Sequence, residues 1–123
     1  MNLVDSSGWL EYFANTKNAD FFARSIEDTD NLIVSTINLY EIFKKILRQK
    51  DENSALQAIA VMQQGKIVEV DSLISLHSAK LSIDFKLPMA DSIILATARV
   101  FNATLWTQDS DFKNIRGVKY IQK

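Results

Sequence analysis

The chain has 123 residues, 47% hydrophobic and 24% charged, a balance that fits one soluble globular domain over residues 1–123. It has no cysteine, which excludes disulfides and thiolate metal sites, and no apolar run long enough to span a membrane. A net charge of −1 argues against a general nucleic-acid binder, and an N-terminus without a basic leader argues against a signal peptide, so a cytoplasmic protein is expected.

The first predicted strand is NLV (2–4), followed by helical spacing at Trp9, Leu10 and Phe13 and again at Phe21, Phe22, Ser25 and Ile26. NLIV (31–34) is the second strand. Ile37 to Lys50 is a helix with Leu39, Phe43, Ile46 and Leu47 on one side, and Ser35 or Thr36 can cap its start. Asn53 to Gln64 is a helix that stops at Gly65, before a third strand KIVEV (66–70). Asp71 can cap a helix through about Phe85, on which His77 shares a face with Leu73, Ile74 and Leu81, the spacing of a packed histidine. Leu87-Pro88 breaks the chain, and a last helix runs to about Asn102. ATLWT (103–107) and GVKYI (117–121) complete five short strands, mostly apolar rather than alternating, as parallel strands covered on both faces are. Strands that alternate with helices or helix pairs predict a three-layer α/β/α sandwich on a mainly parallel sheet.

Four acids occupy related places in this order. Asp5 directly follows the first strand and Asp109 lies just past the fourth, both at carboxyl ends, where ligands gather in open parallel sheets. Glu41 lies inside the helix after the second strand, and Asp91 lies in the first turn of the last helix. Each has a purely structural explanation: Asp5 can cap a helix, Glu41 can pair with Lys45, Asp91 can complement a helix dipole, and Asp109 can belong to a solvated turn. Gathered in one cleft, however, carboxylates repel one another and take raised pKa values unless a cation intervenes. Mg²⁺ suits such an oxygen-only site, and no histidine or cysteine accompanies the acids to favour zinc.

Four segments in order resemble the motifs of the PIN-domain nucleases, in particular the VapC-type toxins of toxin–antitoxin pairs: VDSSGWL (4–10), STINLYEIFK (35–44), ADSIILATA (90–98) and LWTQDSDF (105–112). The resemblance covers nearly the whole chain and implies a PIN-like sandwich with a Mg²⁺- or Mn²⁺-dependent endoribonuclease activity. By position it implies a catalytic quartet of Asp5, Glu41, Asp91 and Asp109. Asp5, Asp91 and Asp109 would hold metal, Glu41 would orient or activate water, and Thr107 and Asp111 would support them, with Asp111 a candidate cap for the short turn that Phe112 anchors. It also implies an RNA substrate, an antitoxin protein as partner and a homodimer, with no membrane. Trp9, Tyr12, Phe13, Phe21 and Phe22 divide between core and interface. With the quartet set aside, 14 basic residues face the remaining 11 of 15 acids, and Lys44, Lys45 and Arg48, on the stripe that starts at Glu41, become candidates for RNA binding.

Two alternatives stand beside this. One is a receiver-like signalling domain with Asp71 as phospho-acceptor, Thr107 as switch hydroxyl and Lys119 as the strand-5 lysine. Against it, Ser6 follows Asp5 where such domains pair two acids, and only Tyr120 to Lys123 remain after the lysine. The other is an inactive PIN scaffold acting as a binding module, which an intact quartet opposes.

Overall fold

Leu3 and Val4 set the fold's geometry. They are neighbours on a strand, so their side chains leave opposite faces, yet both are fully buried. The strand they form, β1 (Asn2–Val4), must therefore be covered on both sides. The computed structural model, which describes residues 1–123, provides that cover with six helices: α1 (Ser6–Ala14), α2 (Ala19–Glu27), α3 (Thr36–Gln49), α4 (Glu52–Met62), α5 (Ser72–Phe85) and α6 (Met89–Val100). Between them run β2 (Leu32–Ser35), β3 (Lys66–Val68), β4 (Thr104–Thr107) and β5 (Val118–Tyr120).

All five strands pair in parallel, in the order β3-β2-β1-β4-β5. Leu3, Ile33, Val68 and Leu105 meet Ile74, Leu81, Ile94 and Leu95 from α5 and α6 on one face. Val4, Leu32 and Val34 meet Trp9, Phe22, Ile26, Ile42 and Met62 from α1 to α4 on the other. This is the expected three-layer sandwich. Gly8 allows α1 its close seat: a Cβ there would lie 2.6 Å from the Phe22 ring and 2.8 Å from Val4 Cγ1.

Local chemistry starts the helices. Ser35 caps α3 with its hydroxyl accepting from Ile37 N at 3.2 Å, while Asn38 Oδ1 accepts from Ser35 N at 3.1 Å, a reciprocal capping box. Asp71 caps α5 by accepting from Ile74 N at 2.9 Å, and Asp51 caps α4 through Ser54 N at 2.7 Å. No helix is long and apolar enough to cross a membrane.

Three expectations need correction. β3 stops at Val68, because Val70 N turns to Thr36 Oγ1 at 3.3 Å and leaves the ladder. The buried face of α3 centres on Asn38 and Ile42, both fully buried, with Leu39 and Ile46 beside them; Leu47 is exposed. A face drawn from apolar residues alone missed it because a polar residue occupies its middle. His77 is exposed rather than packed, as is Leu73; α5 turns Ile74, Ser78 and Leu81 inward instead. Ser78 fits there because its hydroxyl donates back to Ile74 O at 2.6 Å.

The strand order also fixes where a site can form. From β1 the chain moves outward to β2 and β3, then returns past β1 to β4 and continues to β5 on the other side. The connections that leave β1 and β4 diverge, and a crevice opens between their carboxyl ends.

Candidate active site

The crevice is built first from backbone. Asp5 N donates to Trp106 O at 2.9 Å, extending the β1–β4 ladder one residue past the strand. That places Asp5 beside Thr107, whose hydroxyl donates to Asp5 Oδ2 at 2.9 Å. The same Thr107 Oγ1 accepts from Asp109 N at 2.9 Å. One buried hydroxyl thus ties the first acid to the last. Ser7 Oγ also donates to Asp5 Oδ2, at 2.8 Å. Asp5 occupies the N-cap position of α1, but its carboxylate makes no capping bond. The simple structural explanation of this acid is therefore absent.

Glu41 enters from α3. Instead of pairing with Lys45, its Oε1 accepts from Ser6 Oγ at 2.7 Å. Ser6 Oγ in turn accepts from Asn38 Nδ2 at 3.0 Å. Asp91 enters from α6, half-buried in the first turn, with no capping role. One carboxylate oxygen each from Asp91, Asp109 and Asp111 lie within 4.8 Å of one another. Asp109, and not Asp111, caps the short 3₁₀ turn at Ser110–Phe112: its Oδ1 accepts from Asp111 N at 2.9 Å. Phe112 is fully buried and anchors that turn, which leaves the Asp111 side chain exposed and directed to its two neighbours.

The electrostatics follow from crowding. Burial raises the Asp5 carboxyl above the ordinary aspartate range, against the lowering effect of the Ser7 and Thr107 hydroxyls. Burial also raises Glu41, where the Ser6 hydroxyl pulls the other way and the charges of Asp5 and Asp109 add to the rise. Asp91 is pushed up to about 7, by burial first and then by Asp109, Asp5, Asp111 and Glu41, with no hydrogen bond to offset them. A half-buried acid that faces four others lacks a counter-charge in this arrangement. The donors are all carboxylate oxygens, a set that fits a hard divalent cation and gives no soft ligand for zinc.

Lys44, Lys45 and Arg48 are exposed and, with Ser6, Leu10, Tyr40 and Glu41, line an open cleft of about 290 Å³. The stripe therefore borders Glu41. Asp71 does not approach the acids' crevice: it follows the edge strand β3 and caps α5. A phospho-acceptor there would stand at the rim of the sheet, away from Asp5 and Thr107, and the receiver-like alternative fails on this strand order.

Four residues were missed by sequence reasoning: Ser6, Ser7, Asn38 and Gln108. Gln108 is buried and bonds away from the acids, its Oε1 accepting from Asn18 Nδ2 at 3.0 Å and its Nε2 donating to Glu11 Oε1 on α1 at 3.2 Å. The available signal was polarity where burial is expected: two serines directly after a strand-end acid, and an asparagine on the inner face of α3.

An all-parallel α/β sandwich with an acidic crevice at its switch point defines the class. Comparison narrows it: the PIN domain family model matches residues 3–118, and the chain belongs to that family. A search of curated protein sequences finds no match. Among solved structures, a toxin–antitoxin complex from Klebsiella pneumoniae is 25% identical, with a TM-score of 0.80 over 97% of this chain and 96% of that one. DNA-bound VapBC from Salmonella typhimurium is 14% identical, with a TM-score of 0.79 over 99% and 98%. Mycobacterium tuberculosis VapC20, described as a toxin that cleaves the sarcin–ricin loop, is 16% identical, with a TM-score of 0.74 over 91% and 92%. The last two likenesses concern the fold.

Proposed function

We propose that this protein is a divalent-metal-dependent endoribonuclease and the toxin of a toxin–antitoxin pair, acting in the cytoplasm. The observation that carries the reading is the convergence of uncompensated carboxylates at the β1–β4 crevice, with Asp91 pushed up to about 7, in a chain of the PIN-domain family. Its likeness to a toxin–antitoxin complex and to DNA-bound VapBC supports the toxin assignment and an antitoxin partner.

In this reading Asp5, Asp91 and Asp109 would hold Mg²⁺ or Mn²⁺, with Asp111 beside them, and the ion would supply charge neutralisation at the phosphate and a more acidic water. The chain's own residues do the rest. Glu41 orients the attacking water and accepts its proton. Thr107 locks Asp5 and the Asp109 backbone in one register. Lys44, Lys45 and Arg48 receive the RNA backbone along the cleft beside Glu41. A homodimer is the expected assembly, supported by the exposed face of α5 carrying Leu73, Leu76 and Ile83; light scattering behind a sizing column checks it.

The test is cleavage of RNA by the purified chain, free of any inhibitor. Mg²⁺ or Mn²⁺ should restore activity that EDTA removes, and the new ends should be 5′-phosphate and 3′-hydroxyl. A folded protein inert under both metals overturns the nuclease reading. A short neighbouring reading frame encoding a DNA-binding segment supports the antitoxin pairing.

A further inference from the structure

Glu41 sits on a helix whose inner face carries an unexpected polar residue. Asn38 is fully buried, one turn before Glu41, in the position where an apolar residue would pack. Its hydrogen bonds run in one direction only. Oδ1 accepts from Ser35 N at 3.1 Å, and a backbone N–H cannot accept, so the amide cannot flip. Nδ2 is therefore the group that faces Ser6, and it donates to Ser6 Oγ at 3.0 Å. Ser6 has one hydroxyl proton and has just received a donor. That proton must go to an acceptor, and Glu41 Oε1 lies 2.7 Å away. The order of donation, Ser35 N to Asn38, Asn38 to Ser6, Ser6 to Glu41, is thus set from the backbone outward.

We infer that Asn38 and Ser6 are positioning residues that act through Glu41, an assignment that rests on the nuclease reading. Their relay holds one Glu41 oxygen, Oε1, and leaves Oε2 as the only oxygen of that carboxylate available to the crevice. Ser6 occupies the first turn of α1, directly after Asp5, while Asn38 belongs to the capping box of α3. The relay therefore couples the start of α1, where the first acid sits, to the helix that carries Glu41. A leucine at position 38 would pack, but would leave the Ser6 proton without a fixed direction.

Asn38→Asp tests the direction without changing the shape. Assayed at a pH high enough to ionise it against the raising effect of burial, the introduced carboxylate still accepts from Ser35 N, so the cap persists, but its second oxygen competes with Glu41 for the one Ser6 proton. Under saturating metal, Asn38→Asp and Ser6→Ala should each lower kcat by roughly 10- to 100-fold, the usual effect of removing an outer hydrogen-bond partner, with KM changed by less than about 2-fold. Ser6→Thr, which keeps the hydroxyl, should recover most of the loss. In a Glu41→Ala background, Asn38→Asp should cost nothing further, because its effect passes through the missing carboxylate. A crystal structure of Asn38→Asp should show the Ser6–Glu41 separation beyond about 3.5 Å.

Wild-type kcat in Asn38→Asp, or the same loss with and without Glu41, overturns the relay while the nuclease reading stands. A wild-type chain that cleaves no RNA overturns the nuclease reading instead. In that case the crystal structure decides the relay alone: an unchanged Ser6–Glu41 contact in Asn38→Asp refutes it, and a broken one supports it.

Discussion

Asp91→Asn is expected to stabilise the metal-free protein while it abolishes cleavage. The carboxyl rises from an ordinary 3.8 to about 7 in the folded chain. Full conversion of that difference gives at most ~4 kcal/mol against the ionised native state. Asp91 is only half-buried, and solvent screening brings the figure to ~1–2 kcal/mol. The sign follows from proton binding. A raised folded value means that the native state keeps its proton where the unfolded chain, with its value near ~3.9, has lost it. The stability associated with this group is complete below about pH 4 and disappears as pH rises through about 7. Asparagine is neutral throughout, so the gap between variant and wild type should widen from pH 4 to pH 8. At roughly 4 °C per kcal/mol for a chain of this size, the widening is about 4–8 °C. Thermal melts by circular dichroism in EDTA at both pH values measure it. Saturating Mg²⁺ should then reverse the order: at a hundred times its Kd it adds ~2.7 kcal/mol to the wild type and less to the variant. A gap no wider at pH 8 than at pH 4 would refute the claim that uncompensated carboxylates crowd this crevice.

Three further outcomes are expected. Replacing Lys44, Lys45 and Arg48 together by glutamine should raise KM by about 10-fold or more with kcat nearly unchanged, and flatten the salt dependence of log KM by a slope of about 2; cleavage kinetics across a salt series read both, and a fall in kcat at constant KM would count against an RNA-backbone role. Gly8→Ala should destabilise by ~1–3 kcal/mol, since its Cβ would meet the Phe22 ring at 2.6 Å in a filled core; urea denaturation measures the loss. Asp71→Ala should cost ~1 kcal/mol through the lost α5 cap and leave RNA cleavage unchanged; a strong loss of cleavage at equal fold would reopen a chemical role for Asp71.

The strands were legible because fully covered parallel strands read as short apolar runs, and Leu3–Val4 and Leu32–Val34 are such runs. Helix starts were legible at Ser35 and Asp71 because capping is local chemistry. The face of α3 was not, since Asn38 breaks the apolar stripe that marks a buried side, and its burial makes sense only once Ser6 is beside it. His77 failed for the converse reason: a helix with apolar residues all round gives no phase, and only packing against the sheet decides that Ile74, Ser78 and Leu81 face inward.

The sequence by itself determined the alternation of strands and helices, the absence of thiolate chemistry, and the order of acids that places the chain beside the PIN-domain motifs. Those are properties of spacing and composition. Tertiary structure alone decided that β4 returns to lie beside β1, so that residues about a hundred positions apart share one hydroxyl: Thr107 bonds both Asp5 and the backbone of Asp109. It also decided that Asp109 caps its own turn and frees Asp111 to face Asp91, and that Glu41 answers to Ser6 rather than to Lys45. Chain order restricts which contacts a helix or strand can make locally. Which carboxylates repel one another, and so require a cation, depends on distances that only the folded sheet sets.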